Sequence, residues 1–251
     1  MRSLRKVMKT FVIAGLLITG LAAQGFAAPS LVSEMAALDQ VLIPVASLSN
    51  QGKAEATKAA LIRLQSQWAI FFTSAQDAFP GDREWTKGLV TVKDTIAEAA
   101  QAAQEGNLPK VHEVLEGVRI TFEELREKRN IDYYLDGFSK YRGVRDKTIA
   151  VLTGKKAADL TDADIQFVSS MVPTLKSTWA SVQAANLDAE LFRFDPAKMA
   201  EIRSAMDSVR KDIEKLESVA PGGTRDQVFE ALARLKPSLT KAFLMFGKFQ
   251  A

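Results

Sequence analysis

The chain has 251 residues, of which 47% are hydrophobic and 25% charged, with 33 Lys+Arg, 30 Asp+Glu, one histidine and no cysteine. That balance excludes a disordered or fibrous chain and supplies enough material for two domains of ordinary size. The absence of thiols excludes disulfides, thiolate metal sites, a lipobox anchor and covalent c-type haem attachment.

Residues 1–28 have the pattern of a secretory signal peptide. Arg2, Arg5, Lys6 and Lys9 precede an apolar run from Phe11 to Ala23, and Gly25 and Ala27 are spaced for signal peptidase. Removing them takes four bases and no acid, so 29 basic residues face 30 acidic ones and the net charge falls from +3 to about −1. A nucleic-acid partner then has no electrostatic basis. No long apolar run follows, so the expectation is a soluble exported protein of the periplasm that does not insert into the membrane once the signal is removed.

Helical periodicity and end signals predict eight helices, near residues 31–49, 53–77, 82–105, 108–128, 131–153, 161–186, 196–219 and 225–249. Leu61, Leu64, Trp68, Phe71 and Ala75 step by three and four, as do Val172, Leu175, Trp179 and Val182. Asn107 is placed to cap a helix with Pro109 in its first turn, Asp195 precedes Pro196, and Thr224 to Gln227 forms a capping box. Gly52, Gly106, Gly154, Gly222 and Gly223 mark helix ends. Pro44, Pro173 and Pro237 fall inside predicted helices, where each removes a hydrogen bond at a cost of about 3 kcal/mol, so kinks or breaks are expected there.

The pattern repeats. Leu64 and Trp68 correspond to Leu175 and Trp179, and Val111, Leu115, Val118 and Phe122 correspond to Val228, Leu232, Leu235 and Leu239. The fold class expected is all-α, with two tandem up-and-down four-helix bundles in residues 29–130 and 131–251. Residues 29–140 hold 12 basic and 16 acidic side chains and residues 141–251 hold 17 and 14, opposite net signs that favour docking of the halves.

His112, the one histidine, lies with Glu116 on a stripe bordering the apolar face of its helix, which makes the pair a candidate for two metal ligands. The repeat carries Phe229 at the histidine's position, itself a candidate for the interface between the halves, so the bland alternative for His112 is a half-buried histidine hydrogen-bonded to a neighbour. Asp132, Tyr133, Tyr134 and Asp136 gather carboxylates and aromatics at the junction of the halves, as a ligand or interface cluster or as a solvated helix start. Phe243, Met245, Phe246 and Phe249 are either core or the lining of an apolar site.

The segment IAEAAQAAQEGNLPKVHEVLEGVR, Ile96 to Arg119, and the stretch LVSEMAALDQVL from Leu31 resemble the soluble b-type cytochromes of the periplasm, which are four-helix bundles. The resemblance spans residues 31–128 and implies a bundle with non-covalent haem, Met35 standing where the family's ligating methionine sits. At the family's histidine position this chain has Arg126, and His112 lies 14 residues earlier, about 21 Å along the helix. The function expected is therefore a non-catalytic exported protein that binds a partner protein or a small ligand, without a cofactor. The alternative is a periplasmic redox or storage protein holding haem or a metal ion.

Overall fold

A computed structural model describes residues 30–249; the expected signal peptide, residues 1–28, lies outside them. Nine α-helices and two short 3-10 turns, with no strand among the described residues, make the fold all-α. The helices are α1 (Leu31–Asn50), α2 (Ala54–Ala75), α3 (Arg83–Gln104), α4 (Leu108–Glu127), α5 (Tyr134–Ile149), α6 (Asp162–Ala184), α7 (Ala189–Phe192), α8 (Pro196–Val219) and α9 (Arg225–Leu244).

Local chemistry sets most of the ends. The side chains of Asn107, Asp195 and Thr224 accept from the backbone N–H groups of Lys110, Lys198 and Gln227, and Gln227 returns a bond to the Thr224 N–H. Gly106, at φ 75°, ends α3 in the left-handed region that costs glycine nothing. Gly223 is needed for another reason: a Cβ there would sit 2.7 Å from the Val219 carbonyl oxygen.

Three expectations need correction. No break occurs at Pro44, Pro173 or Pro237: α1, α6 and α9 are continuous there, with the flanking turns pinned in the core by Ile43, Val45, Val172, Leu175, Leu235 and Leu239. The fifth helix begins at Tyr134 rather than near 131, because Asn130 takes a left-handed φ of 51° and Tyr133 is extended, so Asp132 stands in a connection and not on a helix. The short α7, capped by Asp188, carries Phe192 into the core.

α1 packs on α2 and α4, α2 on α3, and α3 on α4; α5 packs on α6 and α9, α6 on α8, and α8 on α9. Between these groups α1 meets α7 and α9. Buried apolar side chains from Met35 to Phe246 form one contiguous cluster through both groups. α1 is long and apolar enough to cross a membrane by composition, with mean hydropathy 1.4 over 18 residues. Here it is a core element, with Met35, Leu38, Leu42, Ile43 and Val45 each at most 3% exposed.

The junction is held by polar groups as well. Buried Gln40 of α1 donates from Nε2 to the Phe192 carbonyl oxygen (2.5 Å), and its backbone carbonyl accepts from the Lys248 N–H (2.8 Å). The Tyr133 hydroxyl donates to Asp39 (2.6 Å), and Arg126 forms a two-pronged ion pair with Asp136 while its guanidinium lies 4.4 Å from the Tyr133 ring centroid. A mobile linker is thus replaced by a packed, hydrogen-bonded joint.

Candidate functional site

Two clefts flank α5. The first, about 330 Å³, lies between α1, α4, α5 and α9. α4 supplies His112, Glu116 and Arg119 at helical spacing, α5 supplies Arg142, Arg145 and Asp146, and α9 supplies Lys236. Phe138, Leu239, Phe243 and Leu244 form its apolar wall.

Its charges form an alternating chain. Arg119 bonds Glu116 at 2.8 Å, Glu116 accepts from Arg142 at 2.6 Å, Arg142 pairs with Asp146 at 3.5 Å, and Asp146 accepts from Arg145 at 2.5 Å. Three arginines therefore share two carboxylates. Lys236 has no carboxylate partner among the described residues, so four cationic side chains, Arg119, Arg142, Arg145 and Lys236, face two carboxylates in the lining, with Asp39 and Glu123 acting on Arg119 from outside it. Arg119 is further held by Ser139 and stands 5.0 Å over the Phe243 ring, and the Arg145 side chain is only 5% exposed.

His112 is half-buried, and its Nδ1 lies 3.1 Å from the Ala46 carbonyl oxygen. A carbonyl only accepts, so Nδ1 carries the proton of that bond and Nε2 is the nitrogen left to act. His112 and Glu116 thus line one cleft, but Glu116 is occupied by two guanidiniums. No group of three or more His, Asp or Glu able to hold a metal occurs among the described residues.

The second cleft, about 830 Å³, lies at the junction on the other side of α5 and is lined by Asp132, Tyr133 and Tyr134 together with Glu123, Glu127 and Asp188. Two of its five carboxylates are engaged, while Glu123, Glu127 and Asp132 form no ion pair among the described residues. Asp136 is paired with Arg126 and Asp188 caps α7. Burial, and next the Asp136 carboxylate, push the Glu123 carboxyl up. Burial pushes the Tyr134 hydroxyl up to about 12, and its oxygen lies 3.3 Å from the Met206 sulfur. Asp39, beneath this network, is also raised, by burial that outweighs the lowering effect of Arg126 and of the Tyr133 hydrogen bond.

The remaining candidates are dispersed. Met35 is 2% exposed in the core of α1, and Phe229 is a partly covered residue packed on the core, as its border position implied. Ala46, which holds His112, is eleven residues beyond Met35 on α1, about 16 Å along the helix, so the two do not meet at one point. Arg126, at the place of the cytochrome histidine, is 5% exposed and committed to Asp136.

Sequence reasoning missed Arg119, Arg142, Arg145 and Lys236 as site residues. One signal was present: Arg145 continues the stripe of Leu135, Phe138 and Tyr141, a charge on the buried face of a helix. No protein-family model, curated protein or solved structure matches the chain.

Proposed function

We propose that the protein is an exported, non-catalytic binding protein of the periplasm, built from two tandem up-and-down four-helix bundles, which holds a small ligand in the cleft between them. The observation that carries the reading is the 330 Å³ cleft where α1 and α4 meet α5 and α9, because its size falls in the range of small-molecule sites and its charges are not balanced from within.

The bundle arrangement is supported by the two closed circuits of packing, α1 to α4 and α5, α6, α8, α9. Duplication is supported by the burial of both members of each repeated pair, Leu64 and Leu175, Trp68 and Trp179, Val111 and Val228. The likeness of residues 31–128 to the soluble b-type cytochromes bears on this architecture rather than on haem, since Arg126 and Met35 offer no axial pair. A non-catalytic role is supported by the state of the lining groups. His112 is tied to a carbonyl, and Glu116 and Asp146 are each held by arginines, so no activated nucleophile faces the cleft.

The test uses Thr240, an exposed residue at the mouth. Protein incubated with a small-molecule extract of its host should retain a bound mass in native mass spectrometry, and Thr240→Trp, which fills the mouth, should lose it while melting at the same temperature. A mass retained equally by the variant would remove the cleft from consideration.

A further inference from the structure

Resting on the reading of this cleft as a ligand site, we infer that its ligand is a free anionic amphiphile, a carboxylate-type head on an unbranched apolar chain. The head binds Arg142, Arg145 and Lys236, and the chain crosses α9 toward Pro237 and Phe249.

The head group follows from charge. Arg119, Arg142, Arg145 and Lys236 line the cleft against two carboxylates; Asp39 and Glu123 also act on Arg119 from outside it, whereas Lys236 has no carboxylate partner among the described residues. In a concave site with low-dielectric walls such an excess focuses the field and attracts an anion. Arginine forks also match a carboxylate's two oxygens in geometry. Two of the head-binding cations are already positioned: Arg142 by Glu116 and Asp146, and Arg145 by Asp146 and by burial. Little rotamer freedom remains to be lost on binding.

The chain follows from what lies next to the cleft. A second groove of about 870 Å³ runs along the other side of α9 and shares Lys236, Thr240 and Leu244 with the first, so the two meet over that ridge. Pro237, Leu244, Met245 and Phe249 give it an apolar lining, and Phe249 is 45% exposed. Pro237 contributes no backbone N–H to this wall. The basic residues at its rim are Lys198, Lys236 and Lys241, and no acidic residue lines it. A polyanion without an apolar body would leave this surface in water, and a cationic amphiphile would meet cations on both sides of α9.

The experiment is calorimetric titration of the full mature chain with decanoate below its micellar concentration, beside butyrate, decyltrimethylammonium and citrate. Decanoate should bind at one site. Butyrate and citrate should bind at least tenfold more weakly and decyltrimethylammonium not at all. Lys236→Glu, at an exposed position outside the arginine chain, should weaken decanoate at least tenfold, and Thr240→Trp should abolish it. Equal binding of the trimethylammonium compound, indifference to Lys236→Glu, or association only with phosphatidylglycerol vesicles and not with decanoate would overturn the inference. If decanoate fails while the host-extract mass is still lost in Thr240→Trp, the ligand class is wrong and the cleft stands. If the variant keeps that mass, the cleft itself is wrong.

Discussion

The two clefts beside α5 are lined by charges of opposite sign, and they differ more in how those charges are settled. On the acidic side Asp136 has Arg126 and Asp188 has the backbone of α7, and these two hold the junction, while Glu123, Glu127 and Asp132 form no ion pair among the described residues. On the basic side three arginines divide two carboxylates and Lys236 is left over. The larger cleft therefore combines the structural Arg126–Asp136 pair with unpaired negative charge, and the smaller carries unpaired positive charge that an anionic ligand can satisfy.

Substitutions on either side sharpen that contrast. The largest effect is expected from Arg126→Met, which leaves the half-buried Asp136 and Asp39 at the junction without their buried cation; breaking a buried pair this way costs about 3–5 kcal/mol. Urea denaturation measures it, and a loss below about 1 kcal/mol would mean the acidic side is not structural.

Far smaller is the effect expected from Arg142→Gln in the basic cleft. Arg142 is 36% exposed, and an ion pair of that kind contributes about 0–1 kcal/mol, so stability should hold while anion binding falls.

Asp39→Asn should act in the opposite direction, at the same junction. The folded-state pKa of Asp39 is raised, so the folded protein binds the proton more tightly than the unfolded chain, and stability falls as pH rises from the unfolded value through the folded one. Ionising this carboxylate therefore opposes folding. The asparagine variant, which keeps an acceptor for the Tyr133 hydroxyl, should equal or exceed the parent in stability at pH 7, and the difference should vanish as the pH drops below about 4. A variant less stable at pH 7 would show that the Arg126 charge outweighs burial.

Helix existence and most helix ends were legible in the sequence because capping is local: Asn107, Asp195 and Thr224 act on backbone groups within three residues. The start of α5 was misplaced because a left-handed Asn130 costs little and leaves no periodic trace. α7 escaped because its anchor, Phe192 on Gln40, joins positions 152 residues apart. The site was legible only in part. His112 and Glu116 stood out as a rare residue and its neighbour one turn on, whereas Arg119, Arg142 and Lys236 resemble any solvated helix face until packing brings α4, α5 and α9 together.

Because His112 is the only histidine, its imidazole resonances report on the basic cleft alone. The most direct test of the account is a nuclear magnetic resonance titration of those resonances with decanoate and, separately, with decyltrimethylammonium. The account predicts a saturable shift with the carboxylate, absent in Thr240→Trp, and none with the cation. An imidazole indifferent to decanoate, or shifted equally by both compounds, would contradict it.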